Sequence, residues 1–308
     1  IEAWGAAQEV PGAQVGVLLP GELSWTGAFG VDPVAGTALA PGTRFDATST
    51  TKSFTAALIF QLADQGLIDL EAGLPPLDAV PGFVDHAAMT PRQLLGHRSG
   101  LMNYRDTPEY LANPGSVGSA QEAVAASVRA PRSGVPGEEA EYSSTNYLVL
   151  GLLAEQVSGR SFDDLLTERL LRPLRLNRTT HTPPGPAAPN SGTSGIVTDV
   201  PDLLRWGAAF YRDGAVMSDA ASAVMHDMDG SSSLGPGSVG MCPCAKTADG
   251  RPWWEWIGYT GSTNTVQYSA RRDMVFTLRV TDDLWQPGRI ESVVALAGHL
   301  DDMAVAAR

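Results

Sequence analysis

Cysteine is scarce in this sequence of 308 residues, which contains only Cys242 and Cys244. Two cysteines separated by a single proline are poorly placed to form a disulfide with each other, because the geometry of the bridge is demanding. Zinc would need further ligands close by, and the five histidines are scattered along the chain. We therefore predict a protein without a metal or other cofactor, in which both cysteines are small thiols, either buried or at a rim.

Basic residues and long apolar runs are also scarce. The chain has 21 basic against 34 acidic residues, a net charge of −13, which disfavours partners such as nucleic acid or an anionic membrane. No apolar run is long enough to span a bilayer, and "AALIFQLA" and "YLVLGLLAEQV" are predicted to be buried helices. The sequence begins at Ile1 without a signal-like segment, so either a leader was removed or the numbering starts inside the natural chain.

Strand patterns lie at the two ends. The stretch "GAQVGVLLPGELSWTGAFGVD" alternates apolar runs with glycine turns and predicts two paired strands. Strand patterns return at "TNTVQYSARRDMVFTLRVTDD", broken by the turn "ARRD". The last segment, "GRIESVVALAGHLDDMAVAAR", has apolar residues at helical spacing. We predict an antiparallel sheet built from both termini, with a C-terminal helix packed on it.

Helices and loops dominate the middle of the chain. Phe54, Leu58 and Leu62 fall on one helical stripe that ends near Gly66, and "STNYLVLGLLAEQVSG" and "SFDDLLTERLLRPL" are the clearest later helices. The pattern predicts a mixed α/β (α+β) fold in a single domain, residues 1–308. A helical lobe, about 67–230, would be inserted into a sheet lobe, about 1–66 and 231–308.

The stretch "DATSTTKSF" suggests chemistry, because it places Ser49 three residues before Lys52 at the expected start of a helix. Side chains three apart share a helical face, and the amides of a helix start favour negative charge. A serine hydroxyl becomes a good nucleophile when a neighbour takes its proton, and a desolvated lysine can lose its charge and help. Alone, the S-x-x-K spacing is equally compatible with a solvated helix start.

Two further motifs extend this pattern. "EYSSTNYLVLG" holds Tyr142 two residues before Ser144 on a loop that enters a helix, and "WIGYTGSTNTVQY" holds Tyr259 at the predicted start of a strand. S-x-x-K, then a Y-x-N-like motif, then a K-T-G-like motif resembles the signature of the penicillin-recognising serine enzymes, in their class C β-lactamase, D-alanyl-D-alanine carboxypeptidase and esterase branch. "TPRQLLGHRSGL" and "LLRPLRLNRT" are similar to the same branch, so the resemblance covers residues 12–300.

The resemblance implies a β-lactamase/transpeptidase-like fold and a role for each motif residue. Ser49 resembles the acylated nucleophile, Lys52 its activator, and Tyr142 the tyrosine that acts as general base and returns a proton to the leaving group. The oxyanion hole would consist of the amides of Ser49 and Ser262. His97, in "LLGHRSGL", resembles a supporting residue rather than a catalytic one.

The substrate-binding positions implied by the resemblance are Ser144, Tyr259, Thr260 and Gly261, and two of them depart from the family pattern. Ser144 stands where asparagine is usual and lacks the paired donor and acceptor of an amide. Tyr259 stands where lysine or histidine is usual and supplies no positive charge for a substrate carboxylate. Arg271 or Arg272 could substitute, or could be surface charges of a turn. The tryptophans of "RPWWEWIGY" could equally line an apolar substrate site or fill a strand edge.

The sequence therefore predicts a metal-free serine hydrolase or acyltransferase that acts on an ester, amide or peptide bond. Its partners would be a small-molecule or peptide acyl donor and, for a transferase, an amine or alcohol acceptor. Two alternatives stay open: a biosynthetic transacylase, and an inactive module that binds peptidoglycan fragments. The resemblance implies an extracytoplasmic location, and a biosynthetic transacylase would be cytoplasmic.

Overall fold

The computed structural model describes residues 2–19, 23–182, 192–227, 242–246, 252–259, 263–269 and 273–282. Its helices are α1 (Glu2–Ala7), α2 (Thr51–Asp64), α3 (Pro91–Leu95), α4 (Pro108–Ala112), α5 (Ala120–Arg129), α6 (Ser144–Ser158), α7 (Phe162–Leu166), α8 (Val200–Gly207) and α9 (Asp219–Asp227). Its strands are β1 (Gly12–Leu19), β2 (Leu23–Gly30), β3 (Phe45–Asp46), β4 (Thr180–His181), β5 (Ile196–Thr198), β6 (Cys242–Lys246), β7 (Pro252–Tyr259), β8 (Thr263–Ser269) and β9 (Met274–Val280). Short 3₁₀ turns include Thr48–Thr50 and Tyr104–Asp106, and π-helical turns follow α7 and α8.

The main sheet has six strands in the order β2-β1-β9-β8-β7-β6, and every neighbouring pair is antiparallel. Strands from the first 30 residues pair directly with strands from the region after residue 240, since β1 lies beside β9. The predicted antiparallel sheet from both ends of the chain is therefore confirmed. A second sheet, of order β3-β5-β4, is small.

The main sheet is covered on both faces along β1 and β9. One face carries the alternate apolar residues of the two strands, in a cluster that includes Ala13, Val15, Phe276 and Leu278. The other face receives α8, which approaches so closely that a side chain on Gly207 would have its Cβ 2.5 Å from Val266 Cγ2 and 2.6 Å from a methyl carbon of Val275. Because both faces are covered, β1 and β9 are buried along almost their whole length.

Helices α2 and α6 form the centre of the helical core. Nearly every residue of α2 is buried, and Phe54 stacks on Trp206 of α8 with 3.8 Å between ring centres. The single stripe predicted from Phe54, Leu58 and Leu62 therefore describes only part of what α2 buries. The predicted helix end is confirmed, since Gly66 has φ +71° two residues after Asp64.

Several sequence predictions concern the chain around these elements. The two helices predicted at "STNYLVLGLLAEQVSG" and "SFDDLLTERLLRPL" are α6 and α7 with its π-helical turn, so both are confirmed. Strands β6 and β7 were not predicted. The predicted C-terminal helix lies outside the described residues, and the lobe boundaries near 66 and 231 stay predictions. Among the described helices, none is long and apolar enough to cross a bilayer.

Candidate active site

Ser49 lies in the 3₁₀ turn Thr48–Thr50, immediately before α2. Its side chain is partly accessible, whereas the residues on both sides of it, Thr48 and Thr50, are buried. Thr48 has φ +46°, an unusual conformation for a β-branched residue, and its N–H donates to Asp46 Oδ1 over 2.7 Å. Strained backbone of this kind concentrates at functional sites. The turn therefore exposes one hydroxyl from an otherwise closed segment.

Asn264 of β8 fixes this turn to the main sheet. The Thr50 hydroxyl donates to Asn264 Oδ1 over 2.8 Å, and Asn264 Nδ2 donates to the Ala47 carbonyl over 3.2 Å. Asn264 pairs with Gly258 in the sheet, and β7 runs beside the turn. The end of β7, at Tyr259, therefore lies on the sheet side of Ser49.

Lys52 is buried beside Ser49, one turn into the helix. Its Nζ donates to Ser49 Oγ over 3.0 Å and to the Thr193 carbonyl over 3.1 Å, and only 1% of the residue is exposed. Burial lowers the pKa of Lys52, and the charge of Arg105 adds to the decrease, while the nearby Tyr142 opposes it. Lys52 is thus held in contact with the serine hydroxyl and is easier to deprotonate than an exposed lysine.

The segment after residue 191 provides the acceptor for Lys52. The Thr55 hydroxyl donates to the Gly192 carbonyl over 2.7 Å, and the Ile196 amide donates to Thr51 Oγ1 over 3.2 Å, so the segment is fixed along α2. Gly192 has φ +101°, and a Cβ there would be 2.6 Å from the Tyr147 carbonyl oxygen. Sequence analysis missed Thr193, because it acts through its backbone and the only signal is the glycine pattern "SGTSG" around it.

Tyr142 completes the contacts of Ser49 from the other side. Its hydroxyl is 3.0 Å from Ser49 Oγ and 3.2 Å from Ser144 Oγ, and Lys52 Nζ lies 5.2 Å from the centre of its ring. Burial alone would raise the pKa of Tyr142, but the charge of Lys52 and hydrogen bonds with Lys52, Ser144 and Ser49 together lower it. The phenol is therefore easier to deprotonate than an exposed tyrosine.

His97 supports the backbone around Tyr142. Its Nδ1 accepts the Ser143 N–H over 3.2 Å, and its carbonyl accepts the Glu141 N–H over 2.8 Å. The centres of the His97 and Tyr142 rings are 4.7 Å apart. Since Nδ1 accepts a backbone hydrogen bond, His97 contributes to the position of Tyr142 and makes no contact with Ser49 among the contacts described for it.

The predicted site residues divide into those that the structure brings together and those that it does not describe. Ser49, Lys52, Tyr142 and Ser144 form one continuous set of contacts of 3.0–3.2 Å. Tyr259 was predicted at the start of a strand, and that prediction is wrong, because it is the last residue of β7 and pairs with Thr263. Five further residues named in the predictions lie outside the described part of the chain: Thr260, Gly261, Ser262 and the two alternative cations, Arg271 and Arg272.

No group of three or more histidine, cysteine, aspartate or glutamate side chains in the described residues could hold a metal ion. The strand position of the two cysteines, in β6, is described, but their side chains are not. The chemistry that the described contacts can support is nucleophilic: a serine hydroxyl between an ammonium group and a phenol that can exchange its proton.

Comparisons with known proteins agree with this architecture. The family model described as "Beta-lactamase" matches residues 1–291. Protein flp of Staphylococcus aureus (strain MW2) is 29% identical over 181 residues, 56% of this chain and 35% of that protein. Penicillin-binding protein 4 of Amycolatopsis lactamdurans is 29% identical over 188 residues, 59% of this chain and 48% of that protein. The chain thus spans less than half the length of these two curated relatives.

A solved structure matches almost end to end. The D-stereospecific amidohydrolase from a Streptomyces species superposes with a TM-score of 0.72 over 94% of this chain and 95% of that chain, at 24% identity. At this identity the likeness concerns the fold, and it confirms the predicted β-lactamase/transpeptidase-like architecture. Fold and family model together define the class of protein. The chain belongs to the beta-lactamase family, within the predicted superfamily of penicillin-recognising serine enzymes.

Proposed function

We propose that this protein is a serine enzyme of the β-lactamase/DD-peptidase type that forms an acyl intermediate on Ser49. The observation that carries the proposal is that Ser49 Oγ lies 3.0 Å from both Lys52 Nζ and the Tyr142 hydroxyl. Neither neighbour alone would be diagnostic. A partly accessible serine that touches a buried lysine and a tyrosine with a lowered pKa has what nucleophilic catalysis requires.

In the acylation step, Ser49 Oγ attacks the carbonyl carbon of an ester or amide while its proton passes to the Tyr142–Lys52 pair. The bond from Oγ to the carbonyl carbon forms, and the bond to the leaving group breaks as Tyr142 returns the proton to the leaving oxygen or nitrogen. Water, or an amine or alcohol, then attacks the acyl carbon while Tyr142 takes its proton. The bond from that carbon to Ser49 Oγ breaks, and the proton passes to Oγ. Lys52 keeps its contacts with Thr193 and Ser49 throughout and stabilises negative charge on the phenol oxygen.

The carbonyl oxygen becomes negatively charged in this reaction and needs donors. By resemblance to the family, the amides of Ser49 and Ser262 would supply them, and each such donor typically contributes about 10²–10³ in rate. The position of Ser49 in a 3₁₀ turn before α2 supports this assignment, since the first amides of a helix lack partners within the helix. In the sequence, Ser262 directly precedes Thr263, the first residue of β8.

The substrate would contact Ser144 and the motif Tyr259-Thr260-Gly261. The structural neighbour from Streptomyces is described as a D-stereospecific amidohydrolase, so an amide of a D-configured residue is one candidate substrate. Because Tyr259 brings no positive charge, we expect a carboxylate at this motif, as in β-lactams or D-Ala-D-Ala, to be bound weakly. Neutral activated esters would not depend on that charge.

Intact-mass spectrometry with a fluorophosphonate probe tests the proposal. The wild-type protein is expected to gain one adduct, and Ser49→Ala to gain none, while the exposed Ser24→Ala serves as a matched serine control that keeps the adduct. An adduct that persists in Ser49→Ala would overturn the assignment of the nucleophile. Mapping the labelled peptide identifies Ser49 directly.

The acyl acceptor is tested by turnover of a p-nitrophenyl ester with and without an added amine or alcohol. Release of p-nitrophenol with formation of free acid supports a hydrolase. If the amine accelerates release and the acylated amine is the product, the protein is a transferase. A protein that binds the ester without adduct or turnover would contradict the enzymatic proposal and favour a binding module.

A further inference from the structure

Arg105 lies on the helical side of the candidate site, in the 3₁₀ turn Tyr104–Asp106. The turn is fixed against the start of α6, because the Tyr104 amide donates to Thr145 Oγ1 over 2.8 Å, one residue beyond Ser144. At the other end of the turn, the Thr107 hydroxyl donates to the Tyr104 carbonyl over 2.7 Å. The backbone that carries Arg105 is therefore positioned by the same helix start that follows Tyr142.

The Arg105 side chain is itself oriented. Its Nε donates to the buried Tyr104 hydroxyl over 3.0 Å, and its guanidinium carbon lies 5.7 Å from the centre of the Tyr104 ring. This contact occupies Nε and leaves the two terminal nitrogens for another acceptor. A guanidinium group presents such a pair of N–H donors in the geometry that fits the two oxygens of a carboxylate.

No carboxylate in the described part of the chain pairs with Arg105, although the residue is exposed. Two other arginines of the helical region differ in this respect, because Arg129 pairs with Glu109 and Arg132 pairs with Asp85. The charge of Arg105 also reaches the reacting groups, since it acts on both Lys52 and Tyr142. An oriented cation that acts on both neighbours of Ser49, and that pairs with no carboxylate in the described part of the chain, is suited to an anionic group on the substrate.

We propose that Arg105 binds a carboxylate of the substrate and so replaces, from the helical side, the charge that Tyr259 does not supply from β7. The inference rests on the proposed acyl-enzyme function and adds a substrate class, namely esters or amides that carry a second, anionic end. A carboxylate directed to the motif Tyr259-Thr260-Gly261 and a carboxylate directed to Arg105 would lie on different sides of Ser49. The two positions therefore select different substrates.

The test compares matched ester pairs that differ only in charge. In the first series the p-nitrophenyl monoester of adipic acid is compared with its methyl-capped, neutral counterpart, so that the carboxylate lies in the acyl part. In the second series a carboxyphenyl butyrate is compared with the methyl ester of the same carboxyphenyl group, so that the charge lies in the leaving group. The quantity measured is the ratio of kcat/KM for the charged ester to kcat/KM for the neutral ester.

In the wild-type protein we expect this ratio to favour the charged ester by about tenfold to a hundredfold in one of the two series, the scale of one charge-assisted contact. Arg105→Gln should bring the ratio close to one, Arg105→Lys should keep part of it, and added salt should reduce it. Any influence of Arg105 on Lys52 and Tyr142 changes both esters of a pair alike and cancels in the ratio. Arg129→Gln, which also removes a cation from the helical region, should leave the ratio unchanged.

The inference is overturned if neither series shows a preference for charge in the wild type, or if Arg105→Gln leaves the preference intact. Failure of the underlying acyl-enzyme proposal gives a different result, because the neutral esters would then form no adduct on Ser49 in the wild-type protein. A preference that responds equally to Arg105→Gln and Arg129→Gln reflects net charge and also overturns the assignment to Arg105.

Discussion

Replacing Lys52 by methionine should separate the role of its charge from the role of its bulk. Methionine is close to lysine in length and apolar, so it can fill the buried position while removing the ammonium group. Two contacts are lost, the 3.0 Å hydrogen bond to Ser49 Oγ and the 3.1 Å hydrogen bond to the Thr193 carbonyl. The attraction between the ammonium group and the Tyr142 phenolate is lost as well.

The distance from the ammonium group to the Tyr142 ring sets the scale of that attraction. The ammonium group lies 5.2 Å from the centre of the Tyr142 ring, and at an effective dielectric constant of about 20 a pair of unit charges at that distance attracts by about 3 kcal/mol. At about 1.4 kcal/mol per tenfold this corresponds to about two orders of magnitude in the rate of a reaction that uses the phenolate as base. The lost orientation of Ser49 adds to this, within the ~10²–10⁴ that general-base catalysis typically contributes.

The assay is the pH dependence of kcat/KM for a neutral p-nitrophenyl ester. Lys52 lowers the pKa of Tyr142, so its removal should raise that pKa and move the acid limb of the profile to higher pH. Tyr142→Phe should lose most of the activity by itself, and adding Lys52→Met to it should cost little more, because the two groups act as a unit. Circular dichroism and urea unfolding establish that each variant is folded.

A Lys52→Met protein that keeps kcat/KM within tenfold of the wild type, with its acid limb unmoved, would refute this reasoning. Lysine would then be a buried structural residue and Tyr142 would act without it. If the losses of kcat/KM in the two single variants add up in the double variant, this would also count against a coupled pair, because the effects of groups that do not interact are additive.

Three further predictions concern substrate specificity, helix packing and the pH dependence of stability. The wild-type protein should prefer p-nitrophenyl esters, and Tyr259→Lys should increase kcat/KM for nitrocefin and a D-Ala-D-Ala peptide by about one to two orders of magnitude, the scale of a charge-assisted hydrogen bond. A wild-type preference for the two carboxylate substrates, with no gain in the variant, would contradict this. Gly207→Ala should lower the free energy of unfolding by about 1–3 kcal/mol, since its Cβ would overlap Val266 and Val275; an unchanged urea midpoint would show that α8 can shift freely. Because the pKa of Lys52 is lowered in the folded protein, the unfolded chain binds more protons than the folded one between that pKa and about 10.5, so the free energy of unfolding should rise with pH in this window. Urea titrations at several pH values should show a smaller rise for Lys52→Met than for the wild type. Equal dependence on pH in the two proteins would disprove the linkage.

The sequence was sufficient to predict the sheet and the helices with strong patterns. The alternation in β1 and β2 and the apolar content of α2 and α6 are local signals, so they are readable without the rest of the chain. Strand β7 was missed because its tryptophans and its position after a glycine-rich stretch give no clean alternation. Its neighbours in the sheet, rather than its own pattern, make it a strand.

The candidate site was predicted where side chains act and missed where the backbone acts. Ser49, Lys52 and Tyr142 belong to spaced motifs that a reader of the sequence can compare with a family. The Thr193 carbonyl and the positive φ of Thr48 have no such mark, because any residue type supplies a carbonyl and threonine rarely adopts that φ. Arg105 was missed for a third reason, since an exposed arginine acquires meaning only from the groups that surround it in space.

The contacts of Ser49 and Lys52 join distant parts of the chain, and under the proposed function this has a consequence for the timing of activity. Tyr142 is 93 residues from Ser49, and Thr193 is 141 residues from Lys52. Contacts between residues so far apart require long loops to close, which costs conformational entropy. Until these contacts form, Ser49 is an ordinary serine hydroxyl. Labelling of Ser49 by an acylating probe would therefore report whether the segments that carry Tyr142 and Thr193 have reached their places beside α2.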